Sequence, residues 1–267
     1  MIAKLISDAR KIVIKIGSNT LAGKDGKINS TFISEFARQT TTLIKKGKQI
    51  IIVSSGAQVA GLSTMDKWAR KKDIHYRQAL CAVGQVELMD AWRRAFAQQD
   101  VIDDNLHIAQ ILLTRDDFND SKRTLNMRNT LFTLVDEGII PIINENDTVS
   151  VEEIKIGDND TLAANSAILW SADLLILFSD IDGLYDKNPK DDPQAVLVEE
   201  VRDIGVIRKS IIIGGANSFG TGGIATKLDA AELSLSYGIP AILANGGKPG
   251  CLEALASGNQ KGTVFLP

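Results

Sequence analysis

Short runs rich in Ile, Val and Leu recur along the chain. Longer segments separate them, with apolar residues returning every three or four positions. The runs are KIVIKI (11–16), QIIIVS (49–54), HIAQILL (107–113), IIPIIN (139–144), DLLILFS (173–179) and IPAILA (239–244). Near-continuous apolar runs of this length predict strands buried on both faces. Between them the spacing predicts helices over 31–46, 76–99, 124–137 and 225–237. The first has Ser30 as its N-cap and Gly47 as its stop, and Gly138 and Gly238 end the third and fourth. Strand and helix in alternation predict a mostly parallel sheet covered on both sides. No linker separates two independent cores, so a single domain with two lobes is expected.

Three polar turns interrupt this pattern. KIGSNT (15–20) follows the first strand and VSSGAQVAG (53–61) the second. In a parallel sheet, loops at the C-terminal strand ends line the ligand crevice. There Gly17 and Gly56 let a backbone approach a ligand, while Ser18, Ser54 and Ser55 supply hydroxyls. A helix opening at Gly56 and Ala57 would aim N–H groups at an anion. The third turn, GTGGIATK (220–227), lacks the GxxxxGK[ST] spacing of a P-loop. Its G-x-G-x-x-A string has no acid about 20 residues on, as a dinucleotide fingerprint requires. A glycine loop opening a helix, with Lys227 one turn in, suits phosphate. A surface loop is the plainer alternative.

Lys15 interrupts an apolar strand just before a glycine turn. A buried ammonium without a partner costs several kcal/mol. Lys15 therefore lies at a solvent-facing rim or serves an anion, and its apolar neighbours favour the anion. Asp147, Asp158, Asn159, Asp160, Asp180 and Asp182 cluster after the fourth and fifth strands, where the crevice falls. Paired acids there fit a glycosidase dyad, a metal site or partners for lysines. His75 and His107 stand apart from these motifs, against a His-based metal site or triad. Inward lysines, phosphate-binding turns and acids to order them describe phosphoryl transfer, which needs positioning and positive charge.

Composition narrows the classes. The chain has 267 residues, 44% hydrophobic and 24% charged, within the range of soluble globular proteins. Its formal charge of −3 lacks the basic surplus of a nucleic-acid binder. Cys81 and Cys251 fit no motif and read as small buried thiols of a cytoplasmic protein. No apolar run reaches the about 18 residues of a membrane span, and the N-terminus lacks a signal-peptide pattern.

The motifs VIKIGS, VSSGA, INENDTV, IKIGDND, SDIDGLY and GTGGIATK, in this order, resemble the amino acid kinase family. RQALCAVGQVELM (77–89), LLTRDDFND (112–120) and LNMRNTL (125–131) are similar to its glutamate 5-kinases rather than to kinases of acetylglutamate, aspartate, carbamate or UMP. The resemblance spans nearly the whole chain. It implies a three-layer αβα sandwich with a mainly parallel eight-stranded sheet. A lobe of about residues 1–170 would bind glutamate and one of about 171–267 would bind ATP, with no PUA domain after GTVFLP. It implies transfer of the ATP γ-phosphate to the side-chain carboxylate of L-glutamate, the first step of proline biosynthesis. Mg²⁺ would be carried mainly by the ATP phosphates, without direct protein ligands.

Residue by residue, the resemblance makes Lys15, Lys227 and Asp160 catalytic, with Asp160 ordering the two lysines. Ser55, Gly56, Asp147 and Asn159 would hold glutamate. Lys15, Gly17, Ser18, Ser179, Asp180, Gly183, Tyr185 and the loop Thr221, Gly222, Gly223, Ile224, Ala225, Thr226 and Lys227 would hold ATP. Ile224 stands where relatives often carry Met. The resemblance further implies feedback inhibition by proline, a homo-oligomer and a glutamyl phosphate reductase downstream. A same-fold kinase with another acceptor is the alternative. Asp158 is left as a capping or supporting residue.

Overall fold

In the computed structural model, which describes residues 1–23, 25–65, 73–99, 106–150, 159–189, 192–213 and 223–267, the six apolar runs form strands. They are β1 (Lys11–Ile16), β2 (Gln49–Ser54), β3 (Ile108–Leu113), β4 (Ile140–Glu145), β5 (Leu174–Ser179) and β7 (Ala241–Asn245). Two short strands escaped the apolar pattern, β6 (Glu200–Val201) and β8 (Gly262–Phe265). All eight form one sheet in the order β3-β4-β2-β1-β5-β7-β8-β6. Every pairing is parallel except that of β7 with β8. The chain builds outward from β1 to β2 on one side and returns to β5 on the other. Order therefore reverses at β1, the position where open α/β sheets leave a crevice.

The helices are α1 (Ile2–Asp8), α2 (Ser18–Leu21), α3 (Ser30–Lys45), α4 (Ala57–Met65), α5 (Ile74–Ala97), α6 (Ser121–Asp136), α7 (Asn159–Trp170), α8 (Ile204–Ile213), α9 (Gly223–Ser236) and α10 (Cys251–Ala256). Helices α3, α5 and α10 pack on one face of the sheet, against Ile12, Ile14 and Ile16 of β1. Helices α6, α7, α8 and α9 pack on the other, against Val13 of β1 and Leu175 and Leu177 of β5. This is the expected three-layer sandwich. No described helix is long and apolar enough to cross a membrane.

Helix starts lie earlier than the apolar spacing predicts, because a cap and not a buried face opens a helix. Asn29, not Ser30, caps α3: its side chain accepts a hydrogen bond from the Phe32 N–H. Asp73 caps α5 and Asp120 caps α6 in the same way. Gly47, Gly138 and Gly238 follow helix ends with φ of +82°, +72° and +74°, the left-handed turn that favours glycine. Strand β3 also departs from expectation. It pairs only with β4, and Gln110 and Leu112 are exposed, so its apolar run belongs to a sheet edge. Residues 70–72 of the charged run RKKD lie outside the described residues.

Candidate functional site

Side chains alternate along β1, so Lys15 shares the face of Val13 and points toward α7 and α9. It is 5% exposed, with Val53 and Leu177 beside it in the sheet. The solvent-facing rim is excluded. Asp160, in the first turn of α7, meets it: Lys15 Nζ lies 2.7 Å from Asp160 Oδ1. Lys227, in the first turns of α9, approaches the same carboxylate, with Nζ 3.0 Å from Oδ2. The Thr226 hydroxyl donates to Oδ2 at 3.0 Å, and Lys227 Nζ also donates to the Gly223 carbonyl.

Burial alone would push the Asp160 carboxyl up. The charges and hydrogen bonds of Lys15 and Lys227 outweigh that and hold it below the usual carboxylate range. The N-terminal end of α7 favours the anion as well. Two buried ammonium groups share the Asp160 carboxylate, and Lys227 also acts through its charge on Asp180. A buried charge is tolerated when groups of opposite sign complete it, and Asp160 and Asp180 supply them here.

The neighbouring residue points elsewhere. Asn159 Nδ2 donates to Ser55 Oγ at 2.7 Å and to Asn144 Oδ1 at 2.9 Å. Asn144 Nδ2 in turn donates to Gln85 Oε1 at 2.8 Å. This chain of polar groups joins the ends of β2 and β4 to α5 and α7. Beside it opens a cavity of 260 Å³, whose lining includes Ser18, Ser55, Arg77, Cys81, Asp147 and Asn159. The volume is at or below the small end of ligand pockets, which run from about 300 Å³ upward. It suits a small polar metabolite.

Asp147 is 6% exposed, and its Oδ1 accepts no hydrogen bond from a described residue. Burial pushes its pKa up to about 6, against the opposing pull of a Cys81 hydrogen bond and the Arg77 charge. Gly56, at φ +106°, turns the chain from β2 into α4, which opens at Ala57 beside the cavity. Helices α4 and α5 cross very closely there. A Cβ on Gly84 would stand 1.8 Å from the Ala57 carbonyl oxygen, and one on Gly61 would stand 2.0 Å from that of Leu80.

On the other side of β1, Ser179 ends β5 and donates to Asp180 Oδ1. Asn19 of α2 donates to Asp180 Oδ2 at 3.3 Å. Burial pushes Asp180 up, but these hydrogen bonds and the Lys227 charge hold it below the usual range. A Cβ on Gly17 would come within 3.5 Å of Lys15 Nζ, so the backbone here runs beside the lysine head. A second hollow of 510 Å³ includes Asp182, Tyr185, Leu197, Lys248 and Gln260 in its lining. Gly183 does not line it. A Cβ there would stand 2.7 Å from Thr263 Oγ1, so the Gly183 backbone packs closely against β8.

The sites read from the sequence thus converge on the C-terminal ends of β1, β2, β4 and β5. Gly223, Ile224, Ala225, Thr226 and Lys227 open α9 beside Asp160, whereas Thr221, Gly222 and Asp158 lie outside the described residues. Sequence reasoning missed Arg77, Cys81, Gln85 and Asn144. The first three recur at helical spacing on one face of α5, a polar stripe beside Gly84. His75 and His107 are exposed, and Cys81 and Cys251 are buried. Among the described residues no three His, Cys, Asp or Glu side chains form a metal-ligating group.

A model of the amino acid kinase family matches residues 10–245. A glutamate 5-kinase of Alkaliphilus metalliredigens is 62% identical, over 99% of this chain and 98% of its own length. One of Alkaliphilus oremlandii is 56% identical over 100% and 99%. Among solved structures, carbamate kinase from Giardia lamblia bound to AMP-PNP superposes with a TM-score of 0.66 at 14% identity, covering 97% of this chain and 99% of that one. UMP kinase from Ureaplasma parvum gives 0.63 at 18%, with the same coverage. At such identities the structural likeness speaks for the fold alone. Sequence relatives and fold lead to the same place: the chain belongs to the amino acid kinase family.

Proposed function

We propose that this protein transfers the γ-phosphate of ATP to the side-chain carboxylate of L-glutamate, giving L-glutamyl 5-phosphate. The observation that carries this reading is the juxtaposition of two features. A buried two-lysine, one-carboxylate cluster stands next to an amino-acid-sized cavity, and adjacent residues, Asn159 and Asp160, serve one each. The names of the relatives above support the same substrate.

In this reading Asp147, Asn159, Ser55 and Gly56 hold glutamate, with its side-chain carboxylate toward Lys15. The nucleophile is already ionised at neutral pH, so no general base is needed. Lys15 and Lys227 neutralise the charge gathering between the attacking carboxylate and the transferring phosphoryl group. Such preorganised electrostatic help supplies several kcal/mol. Asp160 fixes both ammonium groups in place beforehand. Gly17, Ser18, Ser179, Asp180 and the start of α9 line the phosphate path, and the hollow at Asp182 and Tyr185 receives the rest of the nucleotide. The lobe up to about residue 170 would serve glutamate and the rest ATP.

The phosphate oxygens of ATP would bring Mg²⁺, which adds further neutralising charge when bound. Cytoplasmic placement, a homo-oligomer, feedback by proline in the glutamate cavity and hand-over of the acyl phosphate to a reductase belong to the same reading. The test is ATP- and Mg²⁺-dependent hydroxamate formation from L-glutamate and hydroxylamine. Signal with glutamate and none with aspartate or N-acetylglutamate is the expected result. ATP turnover only with another acceptor would overturn the substrate.

A further inference from the structure

We propose that Arg77 is the residue that recognises the α-carboxylate of the acceptor, and so makes the cavity specific for an α-amino acid. This deepens the glutamate reading above and rests on it. Arg77 lies one turn into α5 and lines the 260 Å³ cavity together with Asp147. Its Nε donates to Gln58 Oε1 at 3.0 Å, and Gln58 is in the first turn of α4. That bond fixes the plane of the guanidinium and leaves its terminal N–H groups for another partner. The N-terminus of α4 opens on the same spot, adding its own preference for an anion. A planar fork beside a helix N-terminus matches a carboxylate bidentately.

Arg77 does not simply neutralise Asp147. It acts on Asp147 through charge without a hydrogen bond, and Asp147 Oδ1 takes no hydrogen bond from a described residue. Both charges therefore face the cavity, one cationic and one anionic, as a zwitterion requires. The ammonium of the ligand meets Asp147 and its α-carboxylate meets Arg77. The far end of the cavity is Ser18, Ser55 and Asn159, and Asn159 adjoins Asp160 of the lysine cluster. A ligand anchored at Arg77 and Asp147 presents its second carboxylate to the lysines. The ends differ in kind: one cation and one anion at the zwitterion end, and two ammonium groups at the reacting end. This difference sets the direction in which glutamate enters.

The test uses the full chain and the hydroxamate assay with two acceptors, L-glutamate and its α-amide, which keeps the amine and the reacting carboxylate but loses the α-charge. The wild type is expected to prefer glutamate in kcat/KM by about a hundredfold or more, since a site built for a charged group rejects the analogue that lacks it. Arg77→Met should raise the KM for glutamate about thirtyfold or more, with the loss mainly in KM, and shrink the preference to about fivefold or less. Arg77→Lys keeps the charge without the fork and should retain part of the preference. It carries the test if the Met variant fails to fold by circular dichroism. An Arg77 that only braced α4 against α5 would lower activity on both acceptors alike; an unchanged preference in the folded variants overturns the proposal. A wild type that forms no hydroxamate from glutamate overturns the glutamate reading itself, a different result from an active wild type whose preference ignores Arg77.

Discussion

The carboxylate of Asp160 stands between two ammonium groups, 2.7 Å from Lys15 Nζ on β1 and 3.0 Å from Lys227 Nζ on α9. All three side chains are buried, so Asp160 supports the fold and the chemistry at once. Asp160→Asn leaves two ammonium groups without their counter-ion. It should lower unfolding stability by about 3 kcal/mol or more, the usual result of removing one partner from a buried ion pair. It should also lower kcat about a hundredfold by releasing the lysines from position. Urea unfolding and steady-state rates check the two effects separately. Full stability would show that the lysines do not depend on Asp160.

The raised pKa of Asp147 gives two pH effects of opposite sign. The α-ammonium of glutamate needs the ionised carboxylate, so KM for glutamate should climb as pH falls through about 6, approaching tenfold per unit below it. The ATP KM should not follow. Stability runs the other way. The folded pKa lies above the unfolded value of about 3.9, so this group favours the folded state most at low pH. That contribution is lost as pH rises through about 6. Asp147→Asn should have a high glutamate KM with no inflection near pH 6. An inflection that persists in this variant would assign it to another group.

Much of this was legible in the sequence, for physical reasons that differ by element. β1, β2, β4, β5 and β7 are buried on both faces and so write themselves as apolar runs, with Lys15 conspicuous as the exception. β6 and β8 are too short to make such a run, and β3, at an edge, wrote a buried strand's signature without being one. Asp160 and Lys227 stood out as charges at strand-to-helix turns, but their meeting across 67 positions is a property of the sheet order. Arg77 and Cys81 carried no signal of their own. A polar residue on an amphipathic helix normally faces water, and only the close α4–α5 crossing turns that face of α5 toward the cavity.

That crossing is itself testable. Gly84 sits where a methyl group would meet the Ala57 carbonyl at 1.8 Å, backbone against backbone. Gly84→Ala must push α4 away from α5. Overpacking of this kind costs about 1–3 kcal/mol or more, or a fall of several degrees in Tm at this chain length. Because α4 carries Gln58 and α5 carries Arg77 and Cys81, the glutamate KM should rise too. The Lys15–Asp160–Lys227 cluster lies on the opposite face of the sheet, so kcat should suffer less. A loss confined to kcat would show that the helix pair does not shape the cavity.

Lys15 and Lys227 share one carboxylate but are held differently, and their variants should differ in kind from that of Asp160. Removing either lysine leaves Asp160 with the other, so the buried charge stays paired and stability should fall less than in Asp160→Asn. Turnover should not be spared. If each ammonium stabilises charge that develops only during transfer, Lys15→Ala and Lys227→Ala should each lower kcat about a hundredfold or more, with smaller changes in either KM. The double variant should lose less than the product of the two, because both act on one transferring group and through one positioning carboxylate. Strict multiplicativity would mean the lysines act at separate points along the nucleotide. Near-normal turnover in either single variant would remove that residue from the reaction. Rate measurements at saturating glutamate and ATP, paired with urea unfolding of the same preparations, distinguish a lysine that stabilises transfer from one that only balances Asp160.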